Sequence, residues 1–295
     1  MEICYPTQNY RNLFLNKLCY KYPFLHKKVI GTSLCDRSIN AYFIGNTKRM
    51  NLLCGGFHGS EYLTVMAMMR FIEDISESMA NNDELCGFRF DILFKNRGVC
   101  IVPCINPDGT EIAICGGKSA PKYQKLIDSI TDDTTNWQAN ARGVDINHNF
   151  NAGWNELKKL EIKNGITKPA KTRYGGEYPE SEPESYAIAE FSRNNHFFNA
   201  FAFHSQGREI YFDYGTNTPA KSEQIAQSLA KSSSYIVSEP EGLAVGGGFK
   251  DWFIEKLHRP AFTIEIGLGQ NPLPLSDFKT EYDIICEMLC LCSVL

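Results

Sequence analysis

His58, Glu61, His204 and Glu265 are the residues whose types and spacing point most directly to chemistry. His58 and Glu61 stand three apart in FHGSE, His204 lies in AFHSQG, and Glu265 lies in FTIEIGLG. Two neutral imidazoles and one carboxylate are a set of three ligands that Zn²⁺ accepts while its fourth position stays open to water. A further carboxylate nearby is the base that such a water needs for hydrolysis. An H-x-x-E pair alone is weak, because the same spacing arises in helix capping. His204 strengthens it by ending a second apolar run before the turn-like Ser205-Gln206-Gly207. Glu265 sits inside a third apolar run, where a carboxylate is costly to bury unless something nearby uses or neutralises it. The combination points to a metallohydrolase.

The elements that must position these groups can be read from periodicity. NAYFIG, NLLCGG, FRFDILF, VCIVPCI, NAFAFHS, EIYFDY and AFTIEIG have the length and β-rich composition of strands. Between the second and third of these, a helix is expected from near Ser60, with Val65, Met68, Met69, Ile72, Ile75 and Met79 on its apolar face. Ser181 and Glu184 have capping-box spacing and predict another helix that turns Ala187, Ile188 and Phe191 inward. Further helices are expected from Pro219 to about Lys231 and from Ser276 towards the C-terminus. Strand and helix in alternation predict one α/β domain over residues 1–295, with a mostly parallel central sheet covered on both faces. In such sheets chemistry gathers at the carboxyl ends of strands, where His58 and His204 fall. Residues 110–143 and 151–180 read as long surface loops, a length more often functional than accidental.

Composition narrows the partners. With 43% hydrophobic residues among 295, the chain has ample material for a core. A net charge of −4 gives no reason to expect nucleic acid or an anionic membrane. The basic residues between Lys158 and Arg173 are diluted by Glu161 and read as a solvated loop. The eleven cysteines sit mostly in apolar runs and read as buried thiols of a reducing compartment. Cys286, Cys290 and Cys292 have no second Cys/His cluster in the sequence to complete a metal site. No signal peptide is visible in MEICYPTQNYRNLF, and the apolar C-terminal stretch is too short to span a bilayer, so the expected address is cytoplasmic.

These segments resemble the zinc carboxypeptidase family, the carboxypeptidase A-like metallopeptidases. The resemblance rests on H-x-x-E, the later strand histidine, the glutamate near the C-terminus, INPDG at 105–109 and NARGVDINHNF at 140–150, and covers roughly residues 25–290. It implies a bare catalytic domain with no separate wall-binding module, built as a three-layer α/β/α sandwich around a twisted, mostly parallel mixed sheet. It implies one Zn²⁺ held by His58, Glu61 and His204, with Glu265 as the general base that passes a proton to the leaving amine. Arg142 would polarise the scissile carbonyl, a role suited to a guanidinium that stays charged at any working pH.

Departures from the family pattern bear on substrate. Family exopeptidases have Asn-Arg where this chain has Asn147-His148, and histidine supplies no permanently charged fork for a terminal carboxylate. Aligning GGGFKDW with the family places Leu243 where a tyrosine is usual and Lys250 where side-chain specificity is set. Lys250 would favour an acidic substrate group, or else pair with Asp251 or Glu255. HGSEY, YPESEPES, HSQGREIY and RPAFTIEIGLGQNPLP are most similar to the bacterial γ-D-glutamyl-meso-diaminopimelate peptidases. That resemblance implies hydrolysis of murein stem peptides between D-glutamate and the diamino acid, with Asn147, His148 and Lys250 binding substrate. Alternatives are an ordinary metallocarboxypeptidase, an aspartoacylase-like zinc amidohydrolase of N-acyl amino acids, and a binding protein that has lost catalysis.

Overall fold

In the central strands, alternate residues go to opposite cores. The computed structural model describes residues 1–295. In β3 (Met50–Cys54), Leu53 enters one apolar cluster while Leu52 and Cys54 enter another. The same period of two divides Val99 and Ile101 from Cys100 and Val102 in β4 (Gly98–Val102), and Phe201 and Phe203 from Ala200 and Ala202 in β5 (Phe197–His204). A sheet buried on both faces needs a helical layer on each.

The remaining strands are β1 (His26–Thr32), β2 (Ser38–Gly45), β6 (Glu209–Tyr211), β7 (Ile236–Val237) and β8 (Ala261–Glu265). Their order across the eight-stranded sheet is β1-β2-β4-β3-β5-β8-β6-β7. The central β4-β3-β5-β8 segment is wholly parallel, and antiparallel pairings join β1 to β2, β2 to β4 and β6 to β8. One face is covered by α1 (Gln8–Lys21), α2 (Tyr62–Asn81), the single turn α3 (Phe90–Leu93), α8 (Ser222–Ser233) and α10 (Phe278–Val294). α7 (Pro183–Asn194) and α9 (Phe249–Leu257) cover the other. The fold is therefore the expected three-layer sandwich around a mixed sheet.

Several local expectations are corrected. FRFDILF is no strand: Phe90 and Phe94, four apart, both pack into the α2 side of the core with ring centroids 5.0 Å apart, and Arg89 clasps Asp91 with two bonds of 2.9 Å. Short apolar runs do not separate a strand from a buried helical turn. The helix expected from Ser181 begins at Pro183, a residue pre-set for a first helical position. Its capping box does not form, because Ser181 Oγ donates to Glu182 at 2.8 Å and the Glu184 carboxylate accepts from Asn140 at 3.2 Å. The two long loops are shortened by α4 (Pro107–Cys115), α5 (Gln124–Ile130) and α6 (Trp154–Lys163). No helix is long and apolar enough to cross a membrane.

Candidate metal centre and its cavity

The turn after β3 delivers the first two of these residues. Gly56 takes φ +63°, and a Cβ on Gly59 would collide with the backbone of Gly109, so GGFHG leaves the sheet by a path that side chains would block. Glu61 occupies the N-cap of α2, yet its side chain makes no capping bond. The Thr64 hydroxyl ties the helix start to the preceding turn, donating through Oγ1 to the Glu61 carbonyl at 2.7 Å and accepting from Gly56 N at 2.9 Å. The Glu61 carboxylate turns inward instead of capping the helix. His204 is the last residue of β5 and pairs across the parallel ladder with Glu265, the last of β8.

Three ligand atoms converge where these elements meet. His58 Nδ1 lies 2.8 Å from Glu61 Oε1, His204 Nδ1 lies 3.2 Å from Glu61 Oε2, and the two ring nitrogens are 3.3 Å apart. All three side chains are largely or fully buried. His58 Nε2 is held by Asp145 Oδ1 at 3.0 Å, and Asp145 accepts in turn from Arg173 N at 2.8 Å and Asn147 N at 3.1 Å. A histidine oriented by a carboxylate through its distal nitrogen is the usual support of a metal ligand.

The donor set fits Zn²⁺. Two imidazoles present the same nitrogen to one point, and a single proton there cannot serve both rings and the carboxylate. Burial alone would raise the Glu61 carboxyl, but His58 and His204 outweigh it and hold the group down to about 2. Burial lowers His204, favouring the neutral ring that ligation requires. His58 is driven the other way: burial opposes its charge, yet Glu61 and Asp145 raise it well above the ordinary histidine value. Both carboxylates thus favour a cation at this point, and a dication accepts all three lone pairs.

Glu265 faces the same cavity and carries no hydrogen bond to the protein. Burial, then repulsion from Glu61 and Glu209, pushes its carboxyl well above the usual range, against an opposing pull from His58. A carboxylate with raised proton affinity beside an open ligand position can take a proton from water. The cavity has a volume of about 580 Å³, and Asn147, His148 and Lys250 also line it.

The other expected site residues fare differently. Arg142 is not brought to the cluster: its guanidinium pairs with buried Glu182 at 3.0 Å and lines a separate depression with Tyr174 and Tyr178. The residue beside the ligands is Gln138, whose Nε2 donates to Glu61 Oε1 at 3.4 Å. Arg142 stays outside the cavity because its guanidinium is held by Glu182 and by the Ser181 carbonyl, 3.2 Å away, whereas Gln138 lines the cavity wall. Lys250 reaches the wall with its charge already engaged, by Asp251 at 2.5 Å and the Asp213 carbonyl at 2.6 Å. His148 Nδ1 lies 3.2 Å from Glu161, which also takes Lys158 at 3.0 Å. Asn147 Oδ1 accepts from Phe249 N at 2.9 Å, tying the loop to the start of α9. Leu243 lines the cavity, so no phenol stands there, and the Tyr211 hydroxyl on the same wall donates to Glu209.

Sequence reasoning missed Asp145, Gln138, Arg173 and Asn271. Asp145 lies inside the singled-out NARGVDINHNF stretch and Gln138 two residues before it, so their position was the available signal. Arg173, on the cavity wall, and Asn271, whose Nδ2 donates to Glu61 Oε1 at 3.5 Å, come from loops whose paths no local pattern specifies.

Comparison with known proteins agrees with this geometry. The zinc carboxypeptidase family model matches residues 12–284. A γ-D-glutamyl-L-diamino acid endopeptidase of Lysinibacillus sphaericus is 34% identical over 272 residues, covering 91% of this chain and 67% of that protein. Carboxypeptidase A1 of Bos taurus is 25% identical over 271 residues, covering 86% of this chain and 60% of the relative. Among solved structures, bovine thrombin-activatable fibrinolysis inhibitor superposes with a TM-score of 0.76 at 21% identity, covering 98% of this chain and 96% of the other. The murein-tripeptide amidase of Escherichia coli O157 superposes at 0.54 and 19% identity, covering 90% and 91%. A match that leaves only short terminal stretches outside it settles the matter: the chain belongs to the zinc carboxypeptidase family and is a zinc metallopeptidase.

Proposed function

We propose that this peptidase hydrolyses the amide between the γ-carboxyl of D-glutamate and the diamino acid of murein stem peptides. The observation that carries the reading is the 34% identity, across 91% of the chain, to an endopeptidase named for a γ-D-glutamyl-L-diamino acid bond. The cavity supports it. About 580 Å³ is room for a short peptide, and its walls are mainly polar. A γ-linkage leaves a free α-carboxylate beside the scissile bond, and the diamino acid adds others. Arg173, an exposed cation on the cavity wall whose backbone is pinned by Asp145, is placed to receive one of them. Lys250 contributes positive potential from an ammonium already paired with Asp251.

The roles of the site residues follow. His58, Glu61 and His204 hold the metal, and Asp145 orients His58. Zinc, when bound, polarises the scissile carbonyl and acidifies a water at its open position. Glu265 takes the proton of the attacking water and returns it to the departing amine. Gln138 Nε2, beside Glu61, donates to the carbonyl oxygen as negative charge develops there. Trimming of ordinary C-termini fits less well, since His148 spends its Nδ1 on Glu161 where a guanidinium fork is needed. Eleven unpaired cysteines fit work on wall fragments in a reducing cytoplasm.

The test compares kcat/KM for L-Ala-γ-D-Glu-meso-diaminopimelate with that for its α-linked isomer. Preference for the γ-linked peptide, weakened by Arg173→Met mainly through KM, is expected. Preference for α-linked peptides, or selectivity that moves with Lys250→Met and not with Arg173→Met, overturns the reading or the residue assignment respectively.

A further inference from the structure

Far from the histidine site, three cysteines from distant parts of the chain come together. Cys86, Cys286 and Cys290 have Sγ atoms within 4.8 Å of one another, and the Cys86 and Cys286 sulfurs are 3.3 Å apart. Cys286 and Cys290 lie one turn apart on α10, so both thiols face the same way. Cys86 comes from the tight turn after α2, where Leu85 and Phe88 bond to each other at 3.1 and 2.9 Å. The two residues between them, Cys86 and Gly87, have φ of +49° and +80°. Asn, Asp or Gly is usual at the first of these positions, and a cysteine there holds an uncommon backbone conformation. Cys286 and Cys290 are buried, while Cys86 is exposed and leaves the cluster open to solvent on one side.

We propose that Cys86, Cys286 and Cys290 form a second metal site, a trithiolate that takes a thiophilic d¹⁰ ion such as Cu⁺. Metal–thiolate bonds of about 2.3 Å place three sulfurs roughly 3.8–4.0 Å apart around one ion, so small shifts of the side chains suffice. Thiolates are softer than the imidazole and carboxylate ligands at His58, Glu61 and His204, so a soft monovalent ion such as Cu⁺ prefers the thiolates. The convergence of three thiols argues for a metal over a disulfide, because pairing Cys86 with Cys286 strands Cys290. The bound ion ties the turn after α2 to the C-terminal helix, elements 200 residues apart in the chain.

The test titrates Cu⁺, under anaerobic reducing conditions and against a competing chelator, into the zinc-loaded protein. The wild type is expected to retain one Cu⁺ per chain with its zinc undisturbed, to show sulfur coordination by X-ray absorption, and to melt at higher temperature. Cys86→Ala alters only an exposed turn residue and is expected to abolish the Cu⁺ while keeping the zinc. Cys290→Ala, checked for fold by circular dichroism, should do the same. Loss of Cu⁺ to the chelator from the wild type, retention by Cys86→Ala, or a Cys86–Cys286 disulfide that excludes metal would each overturn the proposal.

Discussion

Asp145→Asn isolates the carboxylate that orients His58. Asp145 is 2% exposed, and its Oδ1 accepts from His58 Nε2 at 3.0 Å. A hydrogen bond to a charged partner contributes about 1.5–3 kcal/mol and a neutral one about 0.5–1.5 kcal/mol. Asparagine keeps the shape and an acceptor, so the loss is the difference, roughly 1–2 kcal/mol. At 1.4 kcal/mol per factor of ten, that is about 5- to 30-fold in zinc affinity, within reach of the roughly 10- to 100-fold usual for groups that support metal ligands. The variant also leaves Arg173 N without its 2.8 Å acceptor, but in both metal-free and loaded protein, so that cost falls on stability and cancels from affinity. Asp145 also favours a proton on His58, so the assay belongs in alkaline buffer where protons do not compete. Zinc dissociation constants from competition with a chromophoric chelator decide the case. A folded Asp145→Asn protein with unchanged zinc affinity would refute the claim that this carboxylate supports the metal through His58.

Other perturbations have separable outcomes. Glu265→Gln removes a carboxylate with no protein hydrogen bond, so zinc content and fold should persist while kcat falls by about 10²- to 10⁴-fold. Arg142→Met should leave kcat unchanged and lower stability in urea titration by about 1–3 kcal/mol, towards the lower end because the guanidinium side chain is 43% exposed; a large kcat loss with intact stability would return Arg142 to the chemistry. Burial, followed by Asp108, raises the Glu184 carboxyl from 4.5 to about 8. The folded state therefore binds this proton more tightly than the unfolded chain. Its contribution to stability is present below the unfolded value and is lost as pH rises towards about 8. Thermal melts of Glu184→Gln across that window should show a flatter decline than the wild type, and parallel curves would contradict the shift.

The candidate ligands His58 and His204 were legible because each is a costly polar group following an apolar run, and burial cost is a property of sequence as well as of structure. His204 and Glu265 meet as partners across a parallel ladder, a register that no local pattern encodes. The same limit explains Arg142 and Gln138, four residues apart, since the ion pair with Glu182 that holds Arg142 away from the cavity is a tertiary contact. Strand alternation in NLLCGG and NAFAFHS survived folding because both faces of the sheet are buried. FRFDILF did not, because seven residues suit either period and tertiary packing chose the helical one. The thiol cluster was invisible to spacing, since Cys86 joins Cys286 and Cys290 only through the packing of the turn after α2 against α10.

The central claim is best tested by mass spectrometry of the products from L-Ala-γ-D-Glu-meso-diaminopimelate incubated with the zinc-loaded protein, with Glu265→Gln alongside. Free diaminopimelate released by the wild type and not by the variant is the predicted result. An intact peptide after incubation with folded, zinc-bound wild type would contradict the proposed bond specificity, and equal release by the variant would contradict Glu265 as the base.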